Sequence, residues 1–339
     1  MDIYAALDAL ASRNDLTQAD SRALFGAAMR GELTPSQLGG VLMALRVKGE
    51  TADELAGAAE AMRALSLKVE LDLPNLVDTC GTGGSGAKLF NVSTASAFVV
   101  AACGANVAKH GNRAMTSKSG SADLLEAAGV RLDLAPQDIA TCVERAGVGF
   151  MFAQAHHSAM RHAAPTRREL RVRTLMNVLG PLTNPAGAQH QLIGVFSPDW
   201  QQRVIEVLRT LGSTRALCVH GDGLDELTLA GPSRVIELSD GEIREYTISP
   251  EDVGLRAQPL DGLVSDSPES SLILVRQSLR DVDSPAAAIV AYNAGAALYA
   301  ARRADSIADG VSSARDAISD GSAAARLELL ASVSQELGG

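Results

Sequence analysis

Residues 76–86 read LVDTCGTGGSG, and this stretch decides the fold. An apolar pair typical of a buried strand leads into a loop with four glycines in six residues. Because glycine has no Cβ, backbone N–H groups in such a loop can approach an anion closely. The spacing matches neither the dinucleotide fingerprint nor the P-loop. NVST at 91–94 then begins a predicted helix, whose free amides and hydroxyls would extend a phosphate site.

Upstream of this stretch, the first seventy residues predict helices only. TPSQ at 34–37 and TADE at 51–54 both have the capping-box pattern of a helix start. Helices this short are marginal alone, so their apolar faces are expected to pack on one another or on a partner subunit. The sequence therefore predicts a small helical domain over residues 1–70.

Downstream, short apolar runs alternate with helical stretches, which predicts a largely parallel sheet. The candidate strands are 76–77, 106–108, 130–134, 149–152, 193–196 and 216–219. Two further runs, 234–238 and 242–248, flank SDG at 239–241 and predict an antiparallel hairpin. Residues 280–335 return to helix. The predicted fold class is α/β: a small all-helical domain plus a larger α/β domain, residues 74–339, with a central, mainly parallel sheet.

Composition narrows the class of protein. Acidic residues exceed basic ones by 40 to 30, giving a net charge of −10, and the chain has only six Phe, four Tyr and one Trp. A negative chain poor in stacking side chains argues against nucleic-acid binding. The apolar run 285–301 is Ala-rich and reads as a buried helix, so no membrane association is expected. Four widely spaced cysteines without CxxC fit the reducing cytoplasm.

Three further motifs carry chemistry. KHGNR at 109–113, followed by TSKSGS at 116–121, concentrates cations, hydroxyls and glycine in an otherwise acidic chain, which predicts a second phosphate surface. Five arginines lie between 161 and 173. They could form a helix face for the acids of a partner, or one or more could grip a carboxylate through a bidentate guanidinium fork. GDGLDE at 221–226 places acids after a strand, as a magnesium site or a solvated turn would. Together they fit a substrate with several phosphates and a second one with a carboxylate.

These motifs, in their order along the chain, resemble the anthranilate phosphoribosyltransferase family. The resemblance rests on GTGGSG, NVSTASAF, AKHGNR, SKSGSADLLEAAGV, RRELRVRT, LGPLTNP, QLIGV and GDGLDELT, and it spans nearly the whole chain. It implies transfer of the 5-phosphoribosyl group from phosphoribosyl pyrophosphate to the amine of anthranilate, with release of pyrophosphate, in tryptophan biosynthesis. It also implies Mg²⁺ and a homodimer formed through the helical domain. Helices from about 166–185 are expected to belong to that domain as well.

The resemblance also implies a role for individual residues. Those expected to bind phosphoribosyl pyrophosphate are Gly81, Thr82, Gly83, Gly84, Ser85, Leu89, Asn91, Val92, Ser93, Thr94, Lys109, Ser117 and Ser121. Those expected at anthranilate are Gly81, His110, Asn112, Arg167 and Gly180. The implied metal ligands are Ser93, Asp225 and Glu226, and the implied catalytic residues are Arg167, Asn112, His110 and Lys109. His110 is expected to shape the pocket more than to accept a proton.

Three positions depart from the family pattern. Ser85 stands where an Asp is usual and Leu89 where a Thr is usual, which predicts altered handling of magnesium. Arg171 stands where Gly is general, and it motivates an alternative in which the same reaction uses a different aromatic amino-acid-like acceptor. Two other readings are a paralogue without catalysis that binds nucleic acid or a partner, and a nucleoside phosphorylase. The first should lack the key cations and acids, and the second would not need RRELRVRT and LGPLTNP.

Overall fold

A computed structural model describes residues 2–84, 88–114 and 118–338. The chain begins with helices, as predicted. These are α1 (Ile3–Ala11), α2 (Gln18–Arg30), α3 (Pro35–Lys48) and α4 (Ala52–Ala64). Both predicted capping boxes are present, since Thr34 exchanges hydrogen bonds with Gln37 and Thr51 with Glu54. The apolar faces of these helices pack on one another, chiefly α2 on α4 and α1 on α3.

The rest of the described chain builds a seven-stranded sheet. Its strands are β1 (Leu76–Gly81), β2 (Asn106–Gly111), β3 (Val148–Phe152), β4 (His190–Gly194), β5 (Arg215–His220), β6 (Ser233–Ser239) and β7 (Glu242–Ile248). The spatial order is β3-β2-β1-β4-β5-β6-β7. The first five strands are parallel, while β6 and β7 are antiparallel to their neighbours. The fold class is therefore a helical N-terminal domain followed by a larger α/β domain with a mostly parallel sheet.

Helices cover both faces of this sheet. They are α5 (Val92–Ala102), α6 (Ser121–Ala127), α7 (Pro136–Ala146), α8 (Ala153–His156), α9 (Ala164–Leu170), α10 (Gln201–Thr210), α11 (Pro268–Ser278), α12 (Pro285–Ala300), α13 (Ile307–Ser319) and α14 (Ser322–Leu337). One core packs α5 and α12 to α14 against the sheet. The other joins the helical bundle and α10 to residues of β1, β4 and β5. The bundle therefore shares a core with the sheet.

The hairpin between β6 and β7 follows the predicted turn chemistry. Asp240 and Gly241 have φ of 51° and 92°, as a two-residue turn of the primed type requires. The register pairs Ser239 with Glu242 and continues to Ser233 opposite Ile248. The predicted hairpin is confirmed.

Two predicted strands differ from the structure. Residues 130–134 form an irregular connection, because Val130 N donates to Leu125 O and Arg131 N to Ser334 Oγ, so the backbone caps helices instead of joining the sheet. The strand predicted at 193–196 runs instead over His190–Gly194. It begins earlier because two polar residues are buried with partners: the Gln191 amide donates to Pro181 O at 2.9 Å, and His190 Nδ1 lies 2.9 Å from Ala300 O.

Within the described part of the chain, no helix combines the length and apolar character that crossing a membrane requires. The four cysteines are free, with Cys103 partly exposed and the other three buried.

Candidate active site

The order of the strands locates the site. β1 and β4 are neighbours, and Gly81 at the end of β1 lies opposite Gly194 at the end of β4. From β1 the chain winds outward to β2 and β3 on one side, and from β4 to β5 on the other. In open parallel sheets, ligands bind in the crevice at the carboxyl ends of the strands where this order reverses. The GTGG loop leaves the sheet at that point.

The GTGG loop lies against an acidic side chain. Gly83 N donates to Asp225 Oδ2 at 2.8 Å, and a Cβ on Gly81 would lie 2.4 Å from the same oxygen. Gly83 and Gly84 have φ of 65° and 79°, a conformation that favours glycine. Thr82 fixes the loop to the neighbouring strand β4, because its N–H donates to Gly194 O at 2.9 Å. Ser85 lies outside the described residues.

Asp225 and Glu226 form the acidic side of this loop. Asp225 is almost fully buried, and a Cβ on Gly194 would lie 1.5 Å from its carbonyl oxygen, so only glycine fits there. Burial and the neighbouring Asp225 raise the pKa of Glu226 well above its ordinary value. Two crowded carboxylates are a donor set that a hard divalent cation would relieve. Among the described residues, no group of three or more His, Cys, Asp or Glu side chains is gathered around a metal position.

The start of α5 supplies the next part of the site. Asn91 and Ser93 are partly exposed there, whereas the side chains of Val92 and Thr94 are buried. Val92 N donates to Phe90 O at 2.7 Å. The carbonyl of Ser93 accepts a hydrogen bond from Thr79 Oγ1 at 3.0 Å, which ties the helix start to β1. Leu89, just upstream, forms an antiparallel bridge with Val264.

Lys109 is a buried cation beneath the loop. It lies on β2, and its ammonium donates to Thr79 O at 2.5 Å. Burial lowers its pKa, while Asp78 and Glu226 raise it by their negative charge. Asp78 is fully buried and accepts from Asn184 Nδ2 at 2.8 Å and from His110 N at 3.2 Å. The charge of this buried lysine is thus set against two acids of the same site.

The network through Asp78 and Asn184 was missed by the sequence analysis. Asn184 also donates to Ala108 O at 2.8 Å, so one amide joins β1, β2 and the LGPLTNP segment. The signal available was a polar residue directly after the apolar pair of β1. A buried carboxylate needs such partners, because an unpaired one is costly.

Two histidines, His110 next to Lys109 on β2 and His157, pack against each other. The rings of His110 and His157 meet edge-on with centroids 5.0 Å apart. Burial lowers the pKa of His110 well below its usual value and that of His157 to about 4. Among the described residues His110 Nε2 has no hydrogen-bond partner. Both rings are therefore neutral near pH 7. Gly180, in the adjacent LGPLTNP segment, has open space where a Cβ would stand.

The described residues of the predicted second phosphate surface, which spans 109–113 and 116–121, have different surroundings in the structure. Asn112 follows β2, and its carbonyl accepts from Ser121 Oγ at 3.4 Å and from Ala122 N at 3.2 Å. Arg113 is a different case, because it forms ion pairs with Asp123 at 3.1 Å and Glu126 at 2.7 Å. Its charge is thus largely neutralised, and the expectation that it adds to a phosphate surface is weakened. Ser117 lies outside the described residues.

The arginine run also separates into distinct roles. Arg161, Arg168 and Arg171 are exposed, and Arg171 ends α9 with φ of 51°. Arg173 stacks on Phe196, 4.3 Å from the ring centroid, and donates to Gly84 O. Arg167 is half-buried, burial lowers its pKa, and its guanidinium has no hydrogen-bond or ion-pair partner among the described residues. It is the arginine of this run best prepared to take a carboxylate.

Comparisons with known proteins agree with this architecture. A family model described as the helical bundle domain of a glycosyl transferase family matches residues 4–66, and one described as its a/b domain matches residues 73–324. These two matches cover the helical bundle and the sheet with its GTGG loop. The chain is therefore an enzyme of the glycosyltransferase class.

Individual relatives narrow the class. The anthranilate phosphoribosyltransferase of Hahella chejuensis is 53% identical over 339 residues, covering 98% of each chain. The crystal structure of the Thermus thermophilus enzyme of that name is 44% identical, covers 97% of this chain and 99% of its own, and superimposes with a TM-score of 0.93. The Saccharomyces cerevisiae enzyme in complex with PRPP and Mg is 25% identical with a TM-score of 0.90, over 99% of this chain and 98% of its own. This chain belongs to the anthranilate phosphoribosyltransferase family, which confirms the resemblance seen in its motifs.

Proposed function

We propose that this enzyme transfers the 5-phosphoribosyl group from phosphoribosyl pyrophosphate to the amine of anthranilate, giving N-(5-phosphoribosyl)anthranilate and pyrophosphate. The observation that carries the proposal is the donor set at the carboxyl edge of the sheet, and an arginine of α9 adds to it. A glycine loop beside an acidic pair and a buried lysine suits a pyrophosphate ester. A half-buried arginine without a partner suits the carboxylate of the acceptor. The relatives named above support the choice of substrates.

The donor is proposed to bind across the GTGG loop and the start of α5. Backbone amides there, with Lys109 and Ser121, would meet its phosphates, and Ser85 and Ser117 are proposed to join them. Asp225, Glu226 and Ser93 would hold Mg²⁺, since the crowded carboxylates fit a hard cation. When bound, magnesium neutralises the charge that builds on the departing pyrophosphate.

The acceptor is proposed to bind among Arg167, Asn112, His110, Gly81 and Gly180. The reaction breaks the bond from the anomeric carbon to a pyrophosphate oxygen and forms a bond to the amine nitrogen, which then loses a proton. An aromatic amine is uncharged at neutral pH, so it attacks without a strong base. Arg167 contributes by orienting the acceptor through a bidentate contact with its carboxylate. The low pKa of His110 makes it a weak base, which supports a role in shaping the pocket.

The alternative acceptor is not favoured. It was motivated by Arg171 alone, and that side chain is exposed at the end of α9. Relatives that are 52–53% identical over 98% of this chain carry the name anthranilate phosphoribosyltransferase. A different acceptor would also have to share the carboxylate that Arg167 suits.

The assembly and cellular setting are part of the same proposal. The helical segment 1–70 and the α/β segment 74–339 are proposed to be the two domains, with 166–185 added to the first, since α9 packs on α3. A homodimer through this region is supported by apolar side chains left exposed on α1 and α3, namely Tyr4 and Val47. Work in the reducing cytoplasm, within tryptophan biosynthesis, is supported by the free cysteines.

The direct test is an assay of anthranilate fluorescence. With phosphoribosyl pyrophosphate and Mg²⁺ present, the fluorescence should fall and pyrophosphate should appear in equal amount. Omitting either component should abolish both changes. If phosphoribosyl pyrophosphate binds and anthranilate is still not consumed, the proposed function is wrong.

A further inference from the structure

The side chain of Asn91 is held by serines from two distant parts of the chain. Ser271 Oγ donates to Asn91 Oδ1 at 2.7 Å and accepts from Asn91 N at 3.0 Å. Ser119 Oγ donates to the same Oδ1 at 2.8 Å. In return, Asn91 Nδ2 donates to the carbonyl of Ser119 at 3.2 Å. One amide therefore joins α5, α11 and the loop before α6.

These bonds fix which way the amide points. Both acceptor positions of Asn91 Oδ1 are used by hydroxyl donors, and one of the two Nδ2 hydrogens is used by the carbonyl of Ser119. A flipped amide would set Oδ1 against that carbonyl, acceptor to acceptor with no hydrogen between them. One Nδ2 hydrogen is left without a partner among the described residues. The amide is thus held in one orientation with a single donor to spare.

Ser271 is suited to impose this orientation. It is fully buried in the first turns of α11, a helix that begins with a capping box at Ser267 and packs against α5, α6 and α12. Its hydroxyl reaches Asn91 across 180 residues of sequence. A buried hydroxyl on a packed helix loses no freedom when the ligand arrives.

We propose that Ser271 is a positioning residue for the phosphoribosyl pyrophosphate site: it locks the Asn91 amide so that its spare hydrogen is available to an oxygen of the substrate. This inference rests on the proposed function, in which Asn91 contacts that substrate. Because Asn91 also bonds Ser119, the same lock holds residues 118–120 in register with the start of α5. Ser121, the first residue of α6, follows directly. Ser271 itself does not touch the reacting atoms.

The test compares Ser271→Ala with Ser278→Ala. Ser278 is a matched control, because it lies on the same helix, is equally buried, and donates only within its own helix, to Val275 O at 2.8 Å. Ser271→Ala is expected to raise KM for phosphoribosyl pyrophosphate roughly tenfold, the effect of one or two lost hydrogen bonds. KM for anthranilate and kcat should each stay within about twofold of the wild type. Ser278→Ala should leave all three unchanged.

A second comparison separates positioning from a general structural effect. In the Asn91→Ala background the Ser271 hydroxyl has no side-chain amide to orient and keeps only its bond from the backbone N–H of residue 91. Adding Ser271→Ala should therefore change KM for phosphoribosyl pyrophosphate much less than it does in the wild type. Melting temperatures of all variants, measured without ligand, check that they fold. The inference is overturned if Ser271→Ala and Ser278→Ala have the same KM, or if the Ser271→Ala effect persists in full beside Asn91→Ala.

Calorimetric titration keeps the two proposals distinct. If the wild type binds phosphoribosyl pyrophosphate with Mg²⁺ but does not consume anthranilate, the proposed function fails, and the inference is still decided by the affinity ratio between wild type and Ser271→Ala. If the wild type shows no binding, both fail.

Discussion

The proposed role of Arg167 can be tested directly by substitution. It is half-buried without an acid partner, so its charge is available to a carboxylate. We expect Arg167→Ala to lower kcat/KM for anthranilate roughly 10- to 100-fold, because a charged hydrogen-bonded pair is lost. Binding of phosphoribosyl pyrophosphate, measured by calorimetry, should change little.

Arg168→Ala is the control for that variant. Arg168 follows directly in α9 but is exposed. Its loss should leave kcat/KM for anthranilate within about twofold of the wild type. Equal losses in the two variants would mean that the arginine run acts through its total charge and not through a specific contact.

His157 gives a prediction about pH and stability. Burial lowers its pKa to about 4 from an ordinary 6.5, so folding favours the neutral ring. Its contribution to stability is complete above about pH 6.5 and is lost as pH falls toward 4, since only the unfolded chain then gains the proton. At pH 5 the cost relative to pH 7.5 is about 2 kcal/mol. Urea unfolding should show a shallower loss between these pH values for His157→Gln than for the wild type, and parallel curves would contradict the assignment.

At the residue scale, sequence reasoning reached the groups that we propose to face the substrates and missed the residues that hydrogen-bond behind them. Arg167 and Asp225 stand in motifs of unusual composition, which is why they could be singled out. Ser271 could not, because a single serine in a predicted helix has no distinguishing pattern, and its partner lies 180 residues away. The bond from Asn184 to Asp78 is likewise visible only after the strands are paired.

Among the elements, α2 and α4 approach each other closely at Gly57. A Cβ there would lie 2.3 Å from Gln18 O and 2.7 Å from Arg22 N, both backbone atoms. We expect Gly57→Ala to lower the free energy of unfolding by about 1–3 kcal/mol, since the helices would have to separate. Thermal unfolding followed by circular dichroism measures the change.

Gly39→Ala supplies the comparison on α3. Its Cβ would lie 3.7 Å from Thr166 Cγ2, an ordinary contact. Alanine in a helix interior is favoured over glycine by about 0.5–1 kcal/mol. Gly39→Ala should therefore be neutral or stabilising, and a loss equal to that of Gly57→Ala would refute the close-approach explanation.

Strand β4 shows why element boundaries were harder to predict than element types. Its first two residues, His190 and Gln191, are polar and so hid the strand from an apolar pattern, yet both are buried with backbone partners. The segment 130–134 is the converse, because it alternates apolar and charged residues as a strand would, yet its backbone bonds go to α6 and α14. The helices of the first seventy residues were predictable because their capping residues are local signals.

For the molecule as a whole, the net charge is negative, while two cations are held in buried or half-buried positions. The net charge of −10 would repel a polyanion. Lys109 is buried on β2 and Arg167 is half-buried on α9, whereas Arg113 is neutralised by two acids. The GTGG loop lies at the carboxyl edge of the sheet, where Gly83 N donates to Asp225. The total charge therefore does not describe the local charge of the proposed donor site.

The shared core predicts how the whole chain unfolds. Residues of α2 to α4 belong to the same buried cluster as Ile193 of β4 and Trp200 before α10, and α4 packs on α10. Disturbing the bundle should therefore destabilise the sheet. Trp200 is the single tryptophan of the chain and 9% exposed, so its fluorescence reports on the sheet side of the cluster. We expect Gly57→Ala to lower the midpoint seen by Trp200 fluorescence as much as the midpoint seen by circular dichroism, because coincident transitions mark one cooperative unit. A split circular dichroism transition, with the fluorescence midpoint unmoved, would show instead that the bundle unfolds on its own.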